Sequence, residues 1–169
     1  MIQKYTSAGT SMNKNHLPKT FSKIKNWKQG SINLDLGGGK YDNATTFLHN
    51  IYGCRNLILD PYNRTKKHNS NVLRAIIKNG GSDTVTCLNV LNVIAERDIR
   101  ISLIHQAYDL LKSNGIAYFQ IYEGNRSGVG CETKKDCYQN NLPCKEYISE
   151  IELYFNVEKI TSNIIICKK

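Results

Sequence analysis

The chain has 169 residues, 40% of them hydrophobic, which suits a single domain around one buried core. No apolar run approaches the ~18 residues of a membrane helix, and the N-terminus shows neither an apolar signal core nor a small-residue cleavage site, so the expectation is a cytoplasmic protein with no membrane span. The formal charge of +9 is uneven: residues 1–29 hold six lysines (Lys4, Lys14, Lys19, Lys23, Lys25, Lys28) and no acid. This part reads as a basic N-terminal arm, open to two uses: contact with nucleic-acid phosphates, or a solvated lead-in segment.

Six cysteines occur without a CxxC pair, so they read as reduced thiols, and no metal site is expected. Residues 1–15 are polar and aperiodic, which predicts a loosely packed arm whose removal leaves cofactor binding intact. Phe21, Ile24 and Trp27 recur every third residue, which predicts a short helix after Pro18. Residues 31–36, SINLDL, form a strand pattern that stops at Gly37-Gly38-Gly39. Asp42 is placed to cap a helix running to about Asn50.

A second strand, NLILD (56–60), is closed by Pro61. A helix follows whose apolar face is Val72, Leu73, Ile76 and Ile77, stopped by Asn79-Gly80-Gly81. TVTCLNV (84–90) is the third strand. Residues 97–112 carry a helical stripe of Ile101, Ile104, Tyr108 and Leu111, and IAYFQIY (116–122) is the fourth strand. Residues 123–142 lose all periodicity and predict a long loop. Pro143 opens another helix, with Tyr147, Ile148, Ile151 and Tyr154 as its buried face. Residues 157–160 and 163–167 pair most simply as an antiparallel hairpin. The implied fold is α/β: a Rossmann-like, mainly parallel sheet with helices on both faces and a reversed C-terminal hairpin.

Sheets of this kind bind ligands at the carboxyl ends of their strands. The first strand ends in Asp35 and the glycines Gly37, Gly38 and Gly39, where backbone can approach a ligand closely. The second ends in Asp60, about twenty residues on, where a carboxylate is placed to accept from ribose hydroxyls. Together they predict an adenosine-containing ligand. NAD fits less well, because the third glycine of a GxGxxG turn counted from Gly37 falls on Asp42, whose charge repels a pyrophosphate.

Residues 31–122 resemble the motif series of class I S-adenosylmethionine (SAM) dependent methyltransferases: LDLGGG (34–39), LILD (57–60), DTVTCLNVLNVI (83–94) and LLKSNGIAYFQIY (110–122). DPYNRT (60–65) and NVLNVI (89–94) are also similar to small phage and bacterial proteins related to that family. The resemblance implies a shortened class I methyltransferase fold over residues 30–169, with SAM as cofactor and an unidentified methyl acceptor as substrate. It implies that Asp35, Gly37, Gly38 and Gly39 surround the methionine part, that Asp60 holds the ribose, and that Asn89 and Val90 line the site. Two departures stand out. Tyr41 occupies a position where many members have glycine, placing an aromatic ring near the sulfonium or in the core. No room remains before the third strand for the family's additional strand and helix, which leaves Pro61 and Tyr62, within PYNRT (61–65), to replace part of the adenine pocket.

Methyl transfer needs positioning first and a base only for some acceptors; Glu123, just after the fourth strand, is the candidate base. His49, His68 and His105 read as structural or solvated. Three functions remain open: a methyltransferase, a SAM-binding sensor or accessory subunit without transferase activity, and a nucleic-acid-binding module that uses the basic arm.

Overall fold

The computed structural model describes residues 3–10, 14 and 16–169; the remainder of the expected arm lies outside the described residues. In chain order the elements are α1 (Thr20–Lys23), β1 (Ile32–Leu36), α2 (Asn43–Tyr52), β2 (Arg55–Leu59), α3 (Lys66–Lys78), β3 (Ser82–Leu88), α4 (Arg97–Asp109), β4 (Leu111–Gln120), β5 (Cys131–Lys134), β6 (Cys137–Gln139), α5 (Ile148–Ile151), β7 (Asn156–Thr161) and β8 (Ile164–Lys168). Six strands form one sheet in the order β2-β1-β3-β4-β8-β7. β1 to β4 are parallel, β8 is antiparallel to β4, and β7 is antiparallel to β8. The expected parallel sheet and reversed hairpin are both present.

The alternation in β1 decides what each face of the sheet carries. Ile32, Leu34 and Leu36 point into the main core with Val72 and Ile76 of α3, Ile104 and Ala107 of α4, and Ile151 of α5. Asn33 and Asp35 point to the other face, under α2, and are also buried. There Asn33 Nδ2 donates to Asn56 Oδ1 at 2.6 Å and to Thr86 Oγ1 at 2.9 Å, and Thr84 Oγ1 donates to Asn33 Oδ1 at 2.8 Å. Asn33, Asn56, Thr84 and Thr86 thus partner one another, as their desolvation demands. Further along this face, Phe21, Ile24 and Trp27 pack with Ala44 and Leu48 of α2 and with Tyr118. The three-residue spacing therefore marks a buried face, although only Thr20–Lys23 is helical and Ile24 is extended.

β2 is an edge strand, and among the described residues the sheet has no further strand beyond it. Side chains of α3 take up some of its outward backbone groups: His68 Nε2 donates to Ile58 O at 2.9 Å, while Asn69 donates to Asp60 O at 2.9 Å and accepts from Asp60 N at 3.1 Å. Two side chains thereby do part of what a neighbouring strand does in a longer sheet.

Four local expectations need correction. Ile77 is 68% exposed, so the α3 face rests on Val72 and Ile76. α4 stops at Asp109 because Ser82 N donates to Leu110 O at 2.8 Å and Leu111 pairs with Ser82, which turns the expected last helical turn into the start of β4. Asp42 makes no side-chain cap; its carboxylate meets Arg64 at 2.9 Å. Residues 123–142 contain the β5–β6 hairpin, pinned by buried carboxamides: Asn92 Nδ2 donates to Gln139 Oε1 at 3.0 Å, and Asn140 Nδ2 to Ile94 O at 2.8 Å.

Candidate cofactor cavity

Strand order reverses at β1, since the chain passes from β1 to β2 on one side and then crosses back to β3 on the other, and a cavity of about 630 Å³ lies at the carboxyl ends of β1 to β4. That is the crevice where open α/β sheets take ligands, and the volume suits a small molecule.

Its floor is the glycine turn. Gly37 has φ +67°, donates to Leu59 O at 2.9 Å, and would place an added Cβ 2.6 Å from Val90 Cγ2. A Cβ on Gly38 would run into the Asp35 carboxylate. Both positions are therefore held to glycine by their neighbours, Val90 just past β3 and Asp35 within β1.

Asp60 ties this turn to the next one. Its Oδ2 accepts from Gly39 N at 2.9 Å, and its Oδ1 accepts from Tyr62 N at 3.0 Å and Asn63 N at 2.8 Å. A fourth and longest contact comes from Asn63 Nδ2, at 3.2 Å from Oδ2. Arg64 reinforces the tie, donating from Nε to Gly39 O at 2.7 Å. A carboxylate with four donors is near its capacity, so Asp60 is first a structural staple. The contact most easily exchanged for a ligand hydroxyl is the long one to Asn63.

Asp35 is 3% exposed and accepts from Thr86 Oγ1 at 2.8 Å. Burial pushes its carboxyl up to about 7, against the opposing hydrogen bond from Thr86. Asn89, with φ +59°, leaves its buried Oδ1 without a hydrogen-bond partner among the described residues. Such an atom costs about 1–3 kcal/mol while unsatisfied.

The roof comes from segments distant in sequence. Thr6 N donates to Asp136 Oδ1 at 2.9 Å, Thr6 Oγ1 bonds the same carboxylate, and Ser7 N donates to Asp136 O at 2.9 Å. Lys4 N donates to Glu96 Oε1 at 2.9 Å, and Tyr5 stacks on Tyr138 with ring centroids 5.2 Å apart. Gln3, Thr6 and Ser7 line the cavity together with Tyr138 and Gln139 of β6. Residues 3–10 thus form a packed strap across the site, in place of the loosely packed arm expected.

All ten residues singled out for the cofactor meet in this one cavity: Asp35, Gly37, Gly38, Gly39, Tyr41, Asp60, Pro61, Tyr62, Asn89 and Val90. Tyr41 lines it with Lys40 Nζ 5.2 Å from its ring centroid. Glu123 stands outside the lining. Its Oε1 accepts from Cys144 N at 2.6 Å and its Oε2 from Arg126 Nε at 2.6 Å, and the Cys144 amide, ahead of Arg126, holds its carboxyl below the usual range. Both oxygens are thus taken up outside the lining, and the structure does not bring Glu123 together with the other site residues. Lining residues the sequence reading missed are His16, and Ile99, Ser102, Leu103 and Gln106 of α4, while Asn63 falls within the PYNRT segment it named. The α4 stripe was legible as helix, but its tilt over the strand ends was not. Among the described residues no three His, Cys, Asp or Glu side chains gather as a metal site, and no helix is long and apolar enough to cross a membrane.

No protein-family model matches the chain, and no curated protein matches it in sequence. Solved structures do match in fold. A Burkholderia thailandensis 1,6-didemethyltoxoflavin N1-methyltransferase, solved with 1,6-didemethyltoxoflavin and S-adenosylhomocysteine (SAH) bound, has a TM-score of 0.61 at 12% identity, covering 83% of this chain and 72% of that one. A Haloferax volcanii methyltransferase in complex with its Trm112 activator has a TM-score of 0.58 at 16% identity, covering 83% and 68%. PigF, solved with SAH, has a TM-score of 0.58 at 13% identity, covering 88% of this chain and 53% of that one. A [4+2]-cyclase, SpnF, shares the fold at a TM-score of 0.58 and 10% identity. The chain has the class I methyltransferase fold, in a shortened form with β2 at the sheet edge.

Proposed function

We propose that the cavity binds SAM and that the protein transfers its methyl group to an acceptor reached beneath the strap. The observation that carries this reading is the glycine turn held 2.9 Å from the Asp60 carboxylate at the sheet's reversal point, in a fold whose solved examples include proteins crystallised with SAH. Bound SAM supplies a methyl carbon already activated by a sulfonium, so positioning the acceptor in line is the protein's main task.

The residues present suit such a ligand. Gly37, Gly38 and Gly39 bring bare backbone to the cavity lining, and Asp35 beneath them offers a carboxylate to an α-ammonium group. A ribose hydroxyl can replace the 3.2 Å contact of Asn63 on Asp60. The adenine end then rests between Tyr62 and the α4 residues Ile99 and Leu103, which make up for the missing strand and helix. The orphaned Asn89 oxygen provides a place for a ligand N–H once its side chain rotates into the cavity.

The second reading is a protein that binds SAM without transferring from it. A cyclase with the same fold favours it, since the fold does not dictate the reaction. Nucleic acid as the acceptor is supported by the exposed lysines Lys14, Lys19, Lys23, Lys25 and Lys28, which flank the apolar anchors Phe21, Ile24 and Trp27. Calorimetric titration with SAM and SAH tests the shared claim. Tritium transfer from labelled SAM into RNA, DNA, protein and small-molecule pools separates the readings: label in one pool supports the transferase, and binding without label supports the alternative.

A further inference from the structure

Of the four histidines, His49 lies on α2 away from the cavity, His68 is spent on the β2 edge, and His105 is 3.5 Å from Asp109 and stacked on Tyr154. His16 is different. It lines the cavity, its side chain is exposed, and its ring makes no hydrogen bond or ion pair with the described residues. Its position is fixed nonetheless: Asn43 Nδ2, in the first turn of α2, donates to His16 O at 2.8 Å and to Lys14 O at 2.7 Å. On its other side Phe21, 1% exposed, anchors the segment in the core under α2. The clamp therefore fixes the backbone of residue 16 beside the helix that leaves the glycine turn, and its exposed imidazole lines the cavity.

The other carboxylates are committed. Asp60 carries four donors, Asp35 is taken up by the α-ammonium group in the SAM reading, and Glu123 lies outside the lining. We infer that His16 is the general base, and that the acceptor reaches the methyl group through an atom bearing a proton, a hydroxyl in the first instance. This inference rests on the SAM reading of the cavity. The acceptor oxygen forms its bond to the methyl carbon while the C–S bond breaks, the electron pair staying on sulfur. The hydroxyl proton passes to the imidazole of His16 and from there to water, restoring the base.

The test needs no known acceptor. SAM and SAH differ by the sulfonium charge, so an imidazole facing that sulfur titrates differently in the two complexes. The groups sharing its cavity are Asp35, Asp60, Tyr41, Tyr62, Tyr122 and Tyr138, and Lys14 and Lys19 flank it on its own segment, the same in both complexes. Histidine titrations followed by nitrogen-15 NMR, with the His16 signal assigned by its loss in His16→Asn, are expected to give a midpoint lower by roughly half a unit or more with SAM than with SAH. His49, His68 and His105 are expected to titrate alike in both. An equal upward shift in both complexes would put His16 at the amino-acid carboxylate, and no shift would put it away from the ligand; either overturns the proposal. In the tritium assay His16→Asn is expected to abolish the rise of transfer with pH across the imidazole range, and an unchanged pH profile overturns the base role. Failure of SAM to bind at all would overturn the cavity reading instead, and is read separately by calorimetry.

Discussion

The floor and the roof of the cavity are built in different ways. The floor is made by short segments that each end a strand: Asp60 reaches the glycine turn twenty-one residues back and its own turn two and three residues on. The roof is made by contacts across 92 to 131 residues, between the strap, the β3–α4 loop and the β5–β6 hairpin. The floor is buried and multiply bonded, whereas Asp136, Lys4 and the hairpin tip are exposed. A binding site with a rigid base and a lightly held cover should hold its ligand through the first and admit it through the second.

The largest expected effect comes from breaking the floor. Asp60→Ala removes an acceptor shared by four donors, and at about 1.5–3 kcal/mol for a hydrogen bond to a charged group the loss exceeds the ribose contact alone. SAM affinity should fall by at least about a hundredfold and the melting temperature by roughly 6–12 °C. Calorimetry and a thermal melt check the two together; a loss of affinity with an unchanged melt would show that Asp60 is only a ligand contact.

Next is Gly37→Ala. A side chain at φ +67° costs about 1–2 kcal/mol, and Val90 must move as well, so a drop of about 4–8 °C is expected, with weaker SAM binding. Wild-type stability in this variant would mean that the turn is more yielding than its contacts imply.

Titration of Asp35 sharpens the same comparison. Its carboxyl keeps a proton up to about 7 in the unliganded protein, and a cationic ligand favours the ionised form. SAM binding should therefore release a proton below pH 7, with affinity rising by up to about tenfold per pH unit up to that point and levelling above it. For the unliganded fold the sign is opposite: because the folded value is raised above the ordinary carboxylate value, Asp35 lowers stability as pH climbs from about 4 to 7. Asp35→Asn should flatten both profiles, which calorimetry in buffers of different ionisation enthalpy would record.

The smallest effect on stability belongs to the roof. Asp136→Ala cuts the bonds to Thr6 and should speed SAM dissociation by roughly 3–10-fold while moving the melt by less than about 2 °C. Stopped-flow release of SAM measures the first. An unchanged off-rate would mean that the strap does not gate the cavity.

The same division explains what could be read from the residues. LDLGGG and LILD announce strand, turn and acid within a few positions, and the ten residues chosen from these motifs, from the positions just after them and from the end of the TVTCLNV segment do converge. The alternation of Asn33 and Asp35 with Ile32, Leu34 and Leu36 likewise signals two chemically distinct faces, although their common burial depends on α2 and the Phe21–Trp27 segment packing over the polar one. Glu123 stands apart from the ten because proximity to a strand end says nothing about direction; its partners, Cys144 and Arg126, lie where a loop pattern carried no signal. The strap was missed because Thr6 and Asp136 have no local relation. Long-range pairing of two polar segments leaves no periodicity in either.

The most direct measurement is a crystal structure of the protein with SAH. The account predicts the nucleoside between the Gly37–Gly39 turn and Asp60, a ribose hydroxyl in place of the Asn63 contact, and the strap residues 3–10 closed above it. A ligand bound elsewhere, or a cavity left empty by saturating SAH, would contradict it.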